Sequence, residues 1–266
     1  MPTPIAVLVR KFTSRHNWRG VIGLFKSCAN PAAIITRYYF RAGSYPVYAR
    51  LRTPIGQIAL QAYSREDLTT LHEVFFREDY RITGECAKRL RVAVDFGANI
   101  GFATAYFLTR NAEVRVYSYE PVPINLDRAR KNLATFVDRV ELNECAVGTA
   151  DETMSFGIEA SGRYGGIGVP HAEQIQVPCR RGDAELERIL HAHHGIDVLK
   201  VDVEGMETPL LRSIDEKKLG TIGKIFAECE GSELLLPGFE CSQTLSVASF
   251  RQKPWPARPT GRVVSI

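Results

Sequence analysis

Val92-Ala93-Val94-Asp95-Phe96-Gly97-Ala98-Asn99-Ile100-Gly101-Phe102 is the stretch that decides the fold. Val92 to Phe96 is a short apolar run carrying one acid near its end, the pattern of a parallel strand buried on both faces. Gly97 to Gly101 breaks the pattern as a turn, and Phe102 to Leu108 resumes it at helical spacing. Further along, Val114 to Tyr119 reads as a second strand ending at Glu120-Pro121, Pro123 to Leu133 as a helix, and Val140-Glu141-Leu142 as a third strand. Strand, turn, helix, strand, helix, strand is half of a doubly wound α/β sheet. A ligand is expected above the carboxyl ends of these strands, where Asp95, Gly97, Glu120 and Glu144 fall.

The turn says which ligand. A dinucleotide fingerprint requires G-x-G-x-x-G, so that backbone and helix N-terminus embrace a pyrophosphate. Here those positions are Gly97, Asn99 and Phe102, and Asp95 directly before them repels phosphate. A carboxylate there suits a cationic or amino-bearing ligand. Glu120, ending the second strand, is placed to accept hydrogen bonds from two ribose hydroxyls. Together these features favour S-adenosylmethionine over NAD, and Asn99 and Phe102 disfavour an oxidoreductase. The alternative, glycines serving only a tight turn, leaves the two strand-end acids without a purpose.

A second motif lies at Leu199-Lys200-Val201-Asp202-Val203-Glu204-Gly205-Met206-Glu207. Ile196 to Val203 reads as a central strand, with Asp202 and Glu204 emerging at its carboxyl end. Methyl transfer is an in-line displacement, so positioning and electrostatics dominate, and a hydroxyl acceptor benefits from a base. Asp202 or Glu204 fits that role, and paired acids raise one another's proton affinity. The alternative is that Asp202 only orients ligand or caps the next helix. Lys200 reads as a structural ion-pair partner directed away from Asp202's neighbours. Glu228, at the end of the strand Lys224 to Ala227, is a further acid on the acceptor side.

Asp95-Phe96-Gly97-Ala98-Asn99-Ile100-Gly101, Tyr119-Glu120-Pro121-Val122-Pro123, Ala146-Val147-Gly148 and the Leu199–Glu207 motif resemble the FkbM family of SAM-dependent methyltransferases. Val74 to Tyr80 resembles that family's lead-in segment, and the likeness covers roughly residues 70 to 230. The resemblance implies a class I methyltransferase (Rossmann-like) sheet and O-methylation of a hydroxyl on a sugar, glycan or natural-product scaffold. On its motifs the cofactor-binding candidates are Asp95, Gly97, Ala98, Asn99, Gly101, Glu120, Pro121, Glu144 and Ala146, with Asp202 and Glu204 catalytic and no metal ligand.

Charge divides the chain. Residues 1–65 hold ten Lys/Arg and no acid, and residues 251–266 hold four more bases and again no acid. All thirty acids therefore lie between them, facing twenty bases. Such basic ends read first as solvated surface charge, and otherwise as attraction to an anionic partner such as a membrane surface, a glycolipid or a phosphorylated substrate, with nucleic acid ranked last for want of any motif. Aromatic residues Phe12, Trp18, Phe25, Tyr38, Tyr39 and Phe40 among those bases serve either such a surface or packing onto the sheet. No apolar run approaches a bilayer span, and Ile5 to Val9 is too short for a signal-peptide core, which points to the cytoplasm. Six cysteines without C-x-x-C spacing read as reduced thiols.

The expected organisation is a basic helical segment, β-hairpin and lead-in helix over 1–85, a methyltransferase domain over 86–250, and an irregular Pro-rich tail over 251–266. The hairpin is Val47 to Arg52 paired with Ile55 to Leu60 across Thr53-Pro54, and Ser64 caps a helix running to about Phe76. His191, His193 and His194 lie on the amino-terminal side of the sheet and read as a surface helix end. Gly162-Arg163-Tyr164-Gly165-Gly166-Ile167-Gly168, too glycine-rich for an element interior, reads as a mobile loop covering the substrate with Arg163 and Tyr164 as contacts, or as the end of a long hairpin. Towards the end, Cys229-Glu230 stand where the family has a histidine, and Pro254, Pro256 and Pro259 threaten the sheet's closing hairpin. A damaged hairpin is the ground for the second reading, a non-catalytic SAM-binding or partner-binding protein that keeps the fold.

Overall fold

The computed structural model describes residues 15–158, 165–167, 173–229 and 234–253. Its centre is a seven-stranded sheet built from β3 (Val92–Phe96), β4 (Arg115–Tyr119), β5 (Val140–Asn143), β10 (Ile196–Val201), β11 (Ile222–Ala227), β12 (Phe239–Thr244) and β13 (Val247–Gln252), in the spatial order β12-β13-β11-β10-β3-β4-β5. The five strands from β11 to β5 run parallel, and β13 enters antiparallel between β11 and β12. The order reverses between β3 and β10, and that switch point is where α/β sheets open a crevice. This is the class I methyltransferase sheet, with the helical and hairpin extension at its amino-terminal end.

Central strands are buried because helices cover both faces. On one face lie α5 (Phe102–Leu108), every residue of which is buried, and α6 (Pro123–Asn132). The opposite face packs α7 (Gly182–Ala192) and α8 (Glu207–Ser213) through Leu186, Ile189, Leu210 and Leu211. Asp197 staples the edge of this core, its carboxylate accepting from the Arg91 and Val92 N–H groups at 2.7 and 2.9 Å.

The amino-terminal elements share the first core. They are α1 (Arg15–Ser27), α2 (Pro31–Tyr38), the hairpin β1 (Val47–Thr53) and β2 (Gly56–Ala62), α3 (Arg65–Leu71) and a π-turn His72–Arg77. Leu24, Leu51, Leu60, Leu68 and Phe76 join Ala103, Tyr106 and Val116 in one apolar cluster. Ser64 and Asp67 form the reciprocal cap expected of α3. In α1 the small residues Gly20 and Gly23 face the π-turn so closely that a Cβ on Gly23 would lie 1.9 Å from the Phe76 carbonyl oxygen. Trp18, Ile22 and Phe25 occupy the outer face and are about half exposed, so the helix both packs inward and presents aromatic residues outward. Phe12 lies outside the described residues.

A smaller sheet that the sequence did not announce, ordered β6-β9-β7-β8, comprises β6 (Ala146–Gly148), β7 (Glu152–Ile158), β8 (Gly165–Ile167) and β9 (Glu173–Arg181). Gly165–Ile167 is thus a strand paired with β7 rather than part of a loop, because glycine is accepted where a partner backbone supplies the hydrogen bonds. Arg163 and Tyr164 lie outside the described residues. The closing hairpin is also formed: β12 and β13 pair over six residues and β13 ends at Gln252, while Pro254, Pro256 and Pro259 lie outside the described residues. No described helix is long and apolar enough to cross a membrane.

Candidate active site

Two cavities meet above the switch point. The first, an open cleft of about 570 Å³, is lined by Gly97, Asn99 and Glu120 on one side and Ala146, Phe156 and Asp202 on the other. Gly97 makes this cleft possible. Its φ is +85°, and a Cβ there would sit 1.8 Å from the Asp202 carbonyl oxygen, so only glycine lets the loops after β3 and β10 pass. Asn99 follows at φ +49° and accepts the Ile100 N–H on its own side chain at 2.7 Å.

Glu120 is buried at the head of the cleft. One carboxylate oxygen accepts from the Asn99 N–H at 2.8 Å, the other from the Val122 N–H at 3.0 Å and the Asn125 amide at 3.2 Å. Burial outweighs these bonds and pushes its pKa up to about 7. A carboxylate has roughly four acceptor positions, and the three donors leave about one for a ligand hydroxyl. Pro121 and Ala146 line the cleft as well, with Val122 and Phe156 giving it apolar walls. Its charged lining residues are Glu120, Asp202 and Glu204, with no Lys or Arg among them.

Three candidate cofactor ligands have other work. Asp95 is fully buried beneath the loop and lines neither cavity. Its oxygens take the Lys200 ammonium at 3.0 Å and the Thr104 hydroxyl at 2.6 Å. The repulsion of phosphate and attraction of a cation expected of it are therefore spent inside the protein. Gly101, at φ +86°, caps α5 and packs against Leu133. Glu144 is exposed and pairs with Arg130 outside the cleft. Ala98 lines the second cavity rather than the first.

That second cavity, of about 870 Å³, shares Gly97, Asn99, Asp202 and Glu204 with the first. Carboxylates ring it: Asp67, Glu73 and Asp79 from the amino-terminal elements, and Asp202, Glu204 and Glu228 from the strand ends. Lys200 lines it too, and here the sequence reading is corrected. Positions 200 and 202 share a face of β10's continuation, so Lys200 bridges Asp95 and Asp202, reaching the latter at 3.2 Å. It also donates to the Gly97 carbonyl at 2.8 Å, tying the two motifs into one unit. Burial opposes its charge, yet Asp202 and Asp95 together hold its pKa above the ordinary lysine value.

Asp202 stands where the cavities join, with a quarter of its side chain exposed. Glu228 faces it across the second cavity, and burial followed by the charge and hydrogen bond of Asp202 raises the Glu228 pKa. Glu207 holds the loop in place from below, accepting the Val203 and Gly205 N–H groups, each at 2.9 Å. Its sequence signal was its fixed place in the Asp202–Glu207 motif. Phe156 gave no signal, because its strand belongs to the unannounced smaller sheet.

Other sequence candidates lie elsewhere. His193 bonds the Tyr117 hydroxyl at 2.7 Å, and no cluster that could hold a metal occurs among the described residues. The cysteines are free thiols, and burial pushes Cys145, which lines the first cleft, up to about 11.

Residues 95–233, just over half of the sequence, match the Methyltransferase FkbM domain. The chain belongs to the FkbM methyltransferase family. It is 22% identical over 157 residues to Methyltransferase 1 of Beauveria bassiana, covering 51% of this chain and 63% of that one. With Methyltransferase sdnD of Sordaria araneosa it shares 25% identity over 174 residues, covering 51% and 64%. It thus spans just under two thirds of the length of these curated relatives. A crystal structure of Methyltransferase FkbM from Methylobacillus flagellatus KT is similar at 15% identity and a TM-score of 0.45, covering 88% of this chain and 58% of that one.

Proposed function

We propose that this chain methylates a hydroxyl group on a sugar, glycan or natural-product small molecule, using S-adenosylmethionine bound in the first cleft. The observation that carries the reading is the junction of the cavities at Gly97, Asn99, Asp202 and Glu204. One cavity has the lining for a nucleoside, the other is polar and hydroxyl-compatible, and an acid stands between them.

The first cleft fits the cofactor on its donor set. Glu120 suits a ribose hydroxyl, the walls of Val122 and Phe156 suit a flat ring, and Glu204 suits a cationic end. A diphosphate would meet three carboxylates and no base there, which argues against NAD. When bound, the cofactor supplies an electrophilic methyl group on a positively charged sulfur.

Asp202 takes the acceptor's proton as its oxygen begins to bond to carbon. Lys200 fixes the direction of Asp202 through their ion pair and so supplies alignment. Asp67, Glu73 and Asp79 give the acceptor wall acceptors for sugar-type hydroxyls. The paired closing hairpin, which brings Ser246 and Val247 to the second cavity, supports the catalytic reading over a non-catalytic SAM-binding one.

The test is calorimetry with S-adenosylmethionine, S-adenosylhomocysteine and NAD, followed by mass spectrometry of acceptor pools for a methyl gain. Binding of both adenosyl ligands and a methylated hydroxyl product are expected. Preference for NAD, or methylation only of nitrogen, would overturn the proposal.

A further inference from the structure

A third cleft lies away from both cavities, where α2 ends and α3 begins. Arg37, Arg41, Gly43, Tyr45, Arg65 and Glu66 line it. Two of the arginines are held in place by backbone. Arg37 donates from Nε to the Ser44 carbonyl at 2.7 Å and from Nη1 to the Ala33 carbonyl at 3.0 Å. Arg65 donates from Nε to the Tyr38 carbonyl at 3.2 Å, with its guanidinium 5.6 Å from the Tyr38 ring centre. Arg37 Nη2 and the terminal nitrogens of Arg65 make no hydrogen bond among the described residues, and none of the three arginines is ion-paired there. Arg41 is exposed, at φ +56°.

A second observation is independent of these charges. The Tyr45 hydroxyl is buried and has no hydrogen-bond partner among the described residues. A buried hydroxyl left unpaired is costly, and native structures keep few of them without a reason. Burial, then Glu66, raises its pKa, while Arg37 and Arg65 act on it in the opposite sense, which places the hydroxyl among the charges of the cleft. Three arginines face the single carboxylate of Glu66, in the stretch of chain whose first 65 residues contain no acid at all. Pre-positioned guanidinium forks beside a donor hydroxyl form a receptor for a tetrahedral oxyanion.

We propose that this cleft binds a phosphate group, carried either by a soluble phosphoester or by the headgroup of an anionic lipid. Arg37 and Arg65 supply fixed donors, Arg41 swings in from the surface, and the Tyr45 hydroxyl gains the partner it lacks. Nothing in this depends on methyl transfer.

The test follows thermal stability of the full chain against inorganic phosphate, with ionic strength held constant by potassium chloride. A saturable stabilisation is expected. Arg41→Gln and Tyr45→Phe should each weaken its midpoint about tenfold, as loss of one hydrogen bond to a charged group does, without altering the circular dichroism spectrum. Equal midpoints in wild type and Arg41→Gln, or no saturation beyond the chloride control, would overturn the proposal. Sedimentation with phosphatidylcholine vesicles, one third of whose lipid is phosphatidylglycerol, separates the sources. Binding that inorganic phosphate competes away assigns the headgroup, whereas saturation by phosphate without vesicle binding assigns a soluble ester. Vesicle binding that is identical in Arg41→Gln and indifferent to phosphate counts against the site.

Discussion

Glu120 links the stability of the ligand-free protein to pH, and the link can be worked out from its surroundings. Its carboxyl is 5% exposed, and burial lifts its pKa from 4.5 to about 7 despite three N–H donors. A carboxyl whose pKa is raised on folding binds its proton more tightly in the native state. Its contribution to stability is therefore full below the unfolded value and is lost as pH rises through the folded one. The whole gap corresponds to about 3 kcal/mol, of which about 2.5 kcal/mol falls between about pH 5 and about pH 8. Glu120→Gln removes the titration. Whatever constant effect the amide has on the Asn99 N–H, the stability of the variant relative to wild type should rise by about 2.5 kcal/mol across that range. Urea unfolding of both proteins at a series of pH values measures this difference directly, since other titrating groups cancel. Parallel stability curves would show that Glu120 is ionised in the fold at all these pH values and that burial does not dominate its environment. The same sign carries over to binding, because ribose hydroxyls donate to the ionised form. Affinity for S-adenosylmethionine should fall as pH drops below about 7, as the raised pKa of Glu120 requires, and Glu120→Ala should cost about 1.5–3 kcal/mol of it.

Three further outcomes are expected. Lys200→Met leaves Asp95 buried with only the Thr104 hydroxyl, so unfolding free energy should drop by about 3–5 kcal/mol, read by chemical denaturation. Gly97→Ala drives a Cβ into the Asp202 carbonyl oxygen and should abolish adenosyl-ligand binding in calorimetry, with a stability loss of about 2 kcal/mol or more. Asp202→Asn should lower turnover by about 10²–10⁴-fold in a methyl-transfer assay while leaving adenosyl-ligand affinity near wild type. If affinity is lost with turnover, Asp202 holds the ligand, and Glu204 becomes the better candidate for the base.

Much of the fold was legible because its central strands announce themselves locally. Val92–Phe96 and Ile196–Val201 are buried end to end, so each reads as a continuous apolar run with one or two informative charges. The Ser64–Asp67 cap and the hairpin were equally local, although the turn falls at Pro54-Ile55, one residue beyond the expected Thr53-Pro54. The smaller sheet was not, because Glu152–Ile158 and Glu173–Arg181 mix polar and apolar residues and owe their strandedness to one another. Proline signals at the end of the chain misled for a related reason. A proline forbids a strand only where it stands, and β13 finishes at Gln252.

The site was legible at its strand ends and illegible where one motif acts on another. Asp95 and Lys200 lie 105 residues apart in sequence yet are paired Cα neighbours across β3 and β10. No local pattern gives that register. Once it is known, the chemistry follows: Asp95, read locally as a contact for a cationic ligand, is neutralised from the neighbouring strand, and Lys200 connects it to Asp202. The D-x-G and K-x-D motifs are two halves of one buried Asp95–Lys200–Asp202 bridge, with the Gly97 carbonyl bound to the same ammonium. A bridge of this kind fixes the floor shared by both cavities to the register of the sheet. Substitutions that disturb Asp95 or Lys200 should therefore alter the cofactor cleft and the acceptor cavity together, although Asp95 lines neither and Lys200 lines only the second.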